Sequence, residues 1–415
     1  MKPNDTVPDE WKTEHLLLLI GGNALPNFVA ARLLLREGGT LHLLHSPGTG
    51  GVARAIARQV KAEYLTHEIS DPASMSAVTT VVADVLDRQC QGRPVGLHYT
   101  GGTKSMAVHA HAEVRRRRPD ALLTYLDSRT LQLYCDSNIS PRPVQFAVHP
   151  TIMELLGLQE LTVKHEENFV EPDGRPKMPL PTLVALNQAL ARAHTQKEGC
   201  IAYDAWCKEN LRRGKNLVDK ASQFPNRPVP LPMAPSLNEV AEQLRAVLHV
   251  TEDSFEPHDI DWLGVPGIGS VEHFVKHLDG QWVEHLVLET LVANREAFRL
   301  GAIGISLDTN EKSSPYDFEF DVAAMQGYQL YAFSCTRDAT KQLCKHKLFE
   351  AVVRAEQLGG SEAKTALVCA YAMPEMLERE ARERWRPESD NRIRVFGAAD
   401  LPNLAERIGE WIGYS

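Results

Sequence analysis

Over the first 145 residues the hydrophobic positions fall into short, nearly unbroken runs, each followed by a turn and then by a stretch of helical periodicity. Leu16-Leu17-Leu18-Leu19-Ile20 is wholly apolar, and Leu41-His42-Leu43-Leu44-His45 and Pro94-Val95-Gly96-Leu97-His98-Tyr99 are nearly so. A further short strand is expected near Glu63 to Leu65. The intervening helices are expected from Pro26 to Arg36, Val52 to Lys61, Pro72 to Arg88 and Ser105 to Arg115, with Pro26 suited to a first helical turn. Ala121 to Tyr125 and Leu131 to Tyr134 read as late strands joined by a turn at Asp127-Ser128-Arg129. Continuous apolar strands alternating with amphipathic helices predict an α/β unit built on a mostly parallel sheet covered on both faces.

The pattern then changes. Two polar, proline-rich stretches, Glu171 to Pro176 and Pro225 to Pro235, bracket helical periodicity at Thr182 to Thr195 and Ala202 to Arg213, and a further helix is expected at Leu237 to Leu248. Residues 146–275 are read as a helical connector. Residues 276–415 return to α/β patterning. Val271 to Leu278 and Trp282 to Ala293 predict helices, and Phe318 to Ala323 and Gln329 to Phe333 predict a hairpin turning at Gln326-Gly327. Lys345 to Leu358 predicts a helix stopped by Gly359-Gly360, followed by a strand at Ala366 to Ala370 and another from Val395. Three segments are therefore expected: 1–145, 146–275 and 276–415.

Bulk properties narrow the function classes. The chain has 415 residues, 43% of them hydrophobic and 24% charged, which suits a soluble protein of two or three domains. A formal net charge of −9 means that any nucleic-acid contact must come from a local basic cleft. Seven cysteines without regular spacing argue for a reducing compartment rather than a disulfide framework. The apolar run Leu16 to Ile20 is too short for a secretion signal or a membrane span. The expectation is a cytoplasmic protein with no membrane partner.

The most informative stretch is Tyr99-Thr100-Gly101-Gly102-Thr103-Lys104-Ser105-Met106, where a strand hands over to a helix. Glycines let a backbone approach a ligand closely and present its N–H groups. Thr100, Thr103 and Ser105 add hydroxyls, and Lys104 adds a point charge. The spacing is neither that of a Walker loop nor that of the dinucleotide fingerprint. In doubly covered sheets ligands bind beyond the strand carboxyl ends, and Gly21-Gly22-Asn23, Ser46 to Thr49 and Thr100 to Met106 all fall on that edge. The combination Gly21-Gly22-Asn23 with Pro26-Asn27, Ser46 in the second loop and Thr100-Gly101-Gly102-Thr103-Lys104 resembles a CARF (CRISPR-associated Rossmann fold) domain over roughly residues 14–145. The resemblance implies a homodimer that binds a cyclic oligoadenylate across its two-fold axis, most often cyclic tetra-adenylate. It implies ligand contacts from Gly22, Asn23, Ser46, Thr49, Thr100, Gly101, Gly102, Thr103, Lys104 and Met106. Glycines that merely serve tight turns are the plain alternative.

The second constellation is acidic. Glu319 and Asp321 lie two apart on an expected strand and so share a face, and Glu284 lies on an expected helix. Such oxygen ligands suit hard divalent cations that activate water for phosphodiester attack. Gly280-Gln281-Trp282-Val283-Glu284, Phe318-Glu319-Phe320-Asp321-Val322 and the helix His346 to Ala351 resemble the restriction-endonuclease-like PD-(D/E)xK core joined to CARF domains in cyclic-oligoadenylate-activated nucleases of type III CRISPR defence. This second resemblance covers about residues 275–375. It implies Mn²⁺ or Mg²⁺ at Glu284 and Asp321, with Glu319 in support, and a DNA or RNA substrate. Where the family carries Glu-x-Lys, this chain has Ser334-Cys335-Thr336. Either the fold persists without cleavage, or the missing groups come from the following helix, where Lys341, Lys345, Lys347 and Glu350 lie, with Lys341 or Lys347 replacing the lysine. A third reading has the N-terminal domain cleave the ring itself, through Thr103, Lys104 and neighbouring hydroxyls. Arg115 to Arg118 read first as a solvated helix end, Cys200 and Cys207 do not make a zinc site, and Cys335 reads as a small buried strand residue.

Overall fold

The computed structural model describes residues 6–136, 139–163, 169–170, 183–224, 227–265, 268–311, 318–385 and 391–413. Its first unit alternates β1 (Thr13–Ile20), α1 (Leu25–Leu34), β2 (Leu35–His45), α2 (Gly50–Val60), β3 (Glu63–Glu68), α3 (Met75–Arg88), β4 (Val95–His98), α4 (Lys104–Arg117) and β5 (Leu122–Asp127). It closes with β6 (Gln132–Cys135) and β7 (Ile139–Pro143). The sheet order is β3-β2-β1-β4-β5-β6-β7; the first five in that order run parallel and the last two join antiparallel. The apolar run in β1 does what its pattern predicts. Leu16, Leu18 and Ile20 enter the core under α1 and α2, while Leu17 and Leu19 enter the core under α3 and α4. β2 starts six residues earlier than its hydrophobicity suggests, because Leu35 pairs with Thr13 across a register shift.

The remaining elements are α5 (Ile152–Leu158), β8 (Leu161–Val163), β9 (Phe169–Val170), α6 (Val184–Ala193), α7 (Lys197–Asn210), β10 (Arg212–Arg213), β11 (Asn216–Leu217), β12 (Val229–Pro230), α8 (Asn238–Leu248), β13 (Ser254–Phe255), α9 (Val271–Lys276) and α10 (Trp282–Ala293). Then come β14 (Leu300–Glu311), β15 (Phe318–Gln326), β16 (Gln329–Thr336), α11 (Lys341–Gly359), β17 (Lys364–Cys369), α12 (Pro374–Trp385), β18 (Ile393–Phe396) and α13 (Leu404–Ile412). A second sheet runs β18-β17-β16-β15-β14-β8, with β9 also on β14. β14, β15 and β16 form an antiparallel meander, and β17 and β18 extend it in parallel.

This corrects the expected boundary at 275. Leu186, Leu190, Tyr203, Val240 and Leu244 share one core with Trp282, Val287, Tyr331, Phe333 and Trp411. β8 pairs with β14 at Thr309↔Val163. The helical segment is thus part of the second unit: its periodicity is visible in the sequence, but its partners are distant along the chain. The stretch Glu171 to Pro176 lies outside the described residues.

The two units also share a core. The other face of the second sheet, through Ala323, Met325, Leu330 and Ala332, shares a core with Phe28 and Ile56 of the first unit and with Leu155 of α5. The β15–β16 turn is fastened there: Tyr328 N donates to the Gln145 carbonyl at 3.0 Å. A Cβ on Gly327 would lie 1.9 Å from that oxygen, so this turn needs glycine for close approach as well as for its φ of +59°. Among the described residues no helix is long and apolar enough to cross a membrane.

Candidate functional site

The structure gathers the three loops on one edge, as the strand–turn–helix order requires. Gly21 to Asn23 follow β1, Ser46 to Thr49 follow β2, and Thr100 to Thr103 follow β4, beside β1. The glycines divide by role. A Cβ on Gly101 would lie 2.1 Å from the Leu19 carbonyl and 2.7 Å from Asn27 Nδ2, and one on Gly21 would lie 2.9 Å from Gly102 N. Gly102 has φ +75°. These positions are glycine because the first and third loops pack on each other. Gly22 and Gly48 are exposed; a Cβ added to either would meet nothing within 4 Å, and neither has a left-handed φ. Nothing within the chain demands glycine at either position.

Several hydroxyls are already committed. Thr103 caps α4, accepting from Met106 N at 3.1 Å and donating to the Pro72 carbonyl at 3.2 Å. Ser105 donates to the Ala73 carbonyl at 3.0 Å. Thr100 Oγ1 accepts from Leu126 N at 2.7 Å, and Ser46 and Thr49 bond each other at 3.1 Å. Lys104 is exposed and makes no ion pair among the described residues. Met106 does not belong with the expected contacts: its side chain is 0% exposed in the core under α4, and its N–H is spent on the cap. It follows the loop in sequence, but helical geometry turns it inward.

Asn23 faces two ways. Its Oδ1 accepts from Leu25 N at 3.1 Å, and its Nδ2 donates to Glu362 Oε2 at 3.1 Å. Glu362 lies just before β17, is 0% exposed, and has its carboxyl raised by burial. Its Oε1 has no hydrogen-bond partner among the described residues. Nothing in the sequence signals this pairing, since its members are 339 residues apart. A second group that the sequence does not reveal flanks the third loop. Tyr99 donates to Asp136 Oδ1 at 2.8 Å, and His111 Nε2 lies 2.5 Å from Asp136 Oδ2. The arginines ending α4 are spent within the chain: Arg115 on Asp136, Arg116 on Glu113, Arg117 on Glu113 and Asp87, Arg118 on Asp120.

The acidic constellation sits on the second unit. Asp321 on β15 is held by β16: its Oδ2 accepts from Cys335 N at 2.5 Å and from Ser334 Oγ at 3.1 Å. From α11, Lys347 Nζ lies 4.0 Å from that same oxygen and donates to the Cys335 carbonyl at 3.3 Å. Asp321, Ser334, Lys347, Glu350 and Arg354 line one cavity of about 140 Å³. A lysine from the next helix thus stands beside the Ser334-Cys335 segment of β16. Lys341 and Lys345 do not reach it, because Glu380 on α12 holds them at 3.0 and 2.5 Å. Arg354 is an addition to the expected cleft; it lies seven residues past Lys347, on the same helix face.

Glu284, in the first turn of α10, accepts from Ser306 Oγ at 3.3 Å, and Ser306 has φ +48°, unusual for a serine. Burial chiefly, then the charges of Asp321 and Glu284, push the Cys335 thiol up. Glu319 pairs through its backbone with Asp308; its side chain lies outside the described residues. Asp321 and the Cys335 carbonyl offer hard oxygen donors of the kind a divalent cation takes, and the Lys347 ammonium lies against both.

No protein-family model matches the chain, and no curated protein matches it in sequence. Solved structures do share its fold. Can2 from Sulfobacillus thermosulfidooxidans in complex with cyclic tetra-adenylate is similar at a TM-score of 0.67, with 14% identity over 96% of this chain and 97% of that one. Protein VC1899 from Vibrio cholerae is similar at 0.70, with 12% identity over 97% and 99%. A type III CRISPR defence DNA nuclease activated by cyclic oligoadenylate is similar at 0.51, with 16% identity over 90% of this chain and 52% of that one. The likeness to the first two spans both units, so the α/β fold of this chain is that of these proteins over almost their whole length.

Proposed function

We propose that this protein is a cyclic-oligoadenylate-activated, metal-dependent nuclease of type III CRISPR defence, a homodimer of the CARF and PD-(D/E)xK type working in the cytoplasm. The observation that carries the reading is Lys347, which brings to Asp321 and the Cys335 carbonyl the cation that the strand sequence lacks. The ring ligand, cyclic tetra-adenylate in the first instance, would lie on the edge formed by Gly22, Asn23, Ser46, Thr49, Thr100, Gly101, Gly102, Thr103 and Lys104. A two-fold ring suits an isologous pair of such edges. Val108 on α4 is 64% exposed, and Tyr125 and Tyr134, cross-strand neighbours, are 39% and 37% exposed, an apolar surface that supports self-association.

In the cleft, Asp321, the Cys335 carbonyl and Glu284 would hold Mg²⁺ or Mn²⁺. A bound ion supplies an acidified water and neutralises developing charge. Lys347 and Arg354 are placed to hold a scissile phosphate, and Ser334 and the Cys335 N–H keep Asp321 oriented. Activation runs through Asn23: a ring that takes up its amide removes a hydrogen bond from buried Glu362 at the foot of β17, the strand paired with β16.

One observation favours a second reading, a sensor that binds nucleic acid without cutting it. Among the described residues the cleft brings no three carboxylate, histidine or cysteine ligands within metal-sharing distance of one another. Ring cleavage by the first unit is less well supported, since Thr103 and Ser105 donate their hydroxyl protons to backbone carbonyls. The test is incubation of plasmid, single-stranded DNA and single-stranded RNA with Mg²⁺ or Mn²⁺, with and without cyclic tetra- or hexa-adenylate. Cutting that needs both metal and ring supports the nuclease. Ring-dependent retention of nucleic acid without products supports the sensor, and products from the ring alone support the third reading.

A further inference from the structure

On the α3 side of the first sheet, away from the loop edge, three ligand-type side chains converge. His15 opens β1, His42 sits mid-strand on β2, and Cys90 lies just beyond the end of α3. His15 Nδ1 is 3.0 Å from His42 Nε2, and Cys90 Sγ is 3.8 Å from that same nitrogen. All three atoms lie within 4.8 Å of one another. His42 and Cys90 are 0% exposed and His15 is 7% exposed. With Zn–N near 2.0–2.1 Å and Zn–S near 2.3 Å, a tetrahedral ion places two nitrogens about 3.3 Å apart and a nitrogen and a sulfur about 3.6 Å apart. Both separations lie within a few tenths of those values.

A fourth residue strengthens the case. His67 on β3 meets the far side of the His42 ring, His42 Nδ1 to His67 Nε2, at 3.2 Å. Ligating histidines characteristically have the second ring nitrogen fixed by an outer partner, which sets the tautomer. If His42 Nδ1 donates to His67, its Nε2 lone pair points toward His15 and Cys90. The group plays no part in the loop edge or the Asp321 cleft.

We propose that His15, His42 and Cys90 form a zinc site, with His67 as the positioning residue for His42. Zinc is the choice because two imidazoles and one thiolate are a borderline-soft set, and three protein ligands leave the fourth tetrahedral position to a water molecule. Binding replaces the Cys90 S–H bond by a Zn–S bond and releases the proton to solvent. The ion would tie β1 and β2 to the end of α3. The loop before α3 carries the Pro72 and Ala73 carbonyls that hold Thr103 and Ser105, so the site steadies the helix behind the ligand edge.

The test uses full-length, tag-free protein dialysed against Zn²⁺, with bound metal counted by mass spectrometry, and Co²⁺ substitution followed by absorption. One zinc per chain and a thiolate-to-Co²⁺ charge-transfer band are expected. Cys90→Ala should abolish that band, and His67→Gln should weaken Zn²⁺ binding about 10–100-fold. Wild-type protein that retains no zinc, or a Co²⁺ complex with no thiolate band, would overturn the proposal, as would a Cys90→Ala protein that binds with unchanged affinity and spectrum. If Cys90→Ala does not fold, the wild-type Co²⁺ spectrum and the His67→Gln affinity decide the matter between them.

Discussion

The two candidate sites are built from different materials. The loop edge of the first unit comes from three strand–helix turns of one parallel sheet, and much of what it presents is backbone and hydroxyl. The Asp321 cleft comes from side chains on β15, β16 and α11, with Glu284 on α10, and its electrostatics depend on which lysine a helix happens to aim inward. An edge assembled by topology survives side-chain replacement, because the turns remain where the sheet puts them. A cleft assembled by side chains can lose a group from one element and regain it from another, the role proposed here for Lys347.

The sharpest break of this comparison is Asp321→Ala. Cleavage should fall by about 10³-fold or more, since removal of one preorganised electrostatic group costs roughly 10²–10³ and Asp321 is also the proposed metal ligand. Ring binding on the other unit should stay within about 2-fold. Product formation at the wild-type rate in this variant would remove the cleft from the mechanism. Next in size is the contrast between two glycines. Gly101→Ala puts a methyl 2.1 Å from the Leu19 carbonyl and should destabilise the protein by about 3 kcal/mol, at the upper end of overpacking. Gly22→Leu enters open space, so thermal stability should change little while ring affinity drops at least about 10-fold. If the two variants swap behaviour, the division between packing and ligand-facing glycines is wrong.

Lys347→Ala against Lys341→Ala isolates the regained cation. The first should lower turnover about 10²-fold, and the second, which only loosens the hold on Glu380, should leave it within about 2-fold. Equal losses from both would mean that α11 acts through stability. Stability itself should depend on pH through the second unit. Burial raises Glu289 on α10 to about 7, with the Asn187 amide working the other way. A carboxyl whose folded-state pKa lies above its ordinary 4.5 contributes stability that is fully present below about pH 4.5 and is lost as pH rises through about 7. The loss should be on the order of 2–3 kcal/mol, and Glu289→Gln should flatten that part of the chemical-denaturation profile.

What is legible in the sequence follows the same division. β1, its glycine turn and the Thr100 to Lys104 loop declare themselves locally, because a buried parallel strand is a run of leucines and a turn needs its glycines. The hairpin at Gly327 and the helix ending at Gly359 are equally local. Membership of α6, α7 and α8 in the second core is invisible there, since amphipathic periodicity says that a face is buried but not against what. Met106 is misassigned by its motif because motif adjacency is linear, while a helix turns successive residues to different sides. The Asn23–Glu362 contact and the choice of Lys347 over Lys341 depend on tertiary packing that no spacing encodes.

Asn23 is where the two regions meet, and its expected effect is the smallest and the most discriminating. Asn23→Ala removes the shorter of two donors to Glu362 Oε2, leaving Ser361 Oγ at 3.4 Å on a carboxyl whose Oε1 already lacks a partner among the described residues. If the ring acts by withdrawing that same amide, the variant should cut without ring at a raised basal rate, and the ratio of ring-stimulated to basal cleavage should shrink about 5–10-fold, within the usual range of coupling energies. Glu362→Gln separates coupling from ring contact, because it leaves Asn23 free to meet the ring while replacing the buried acid by a neutral amide. It should change that ratio with ring affinity altered only modestly, whereas Asn23→Ala should change both. A stimulation ratio that stays at the wild-type value in both variants, with ring affinity reduced only in Asn23→Ala, would leave Asn23 as a ligand contact alone and place the link between the units in their shared apolar core.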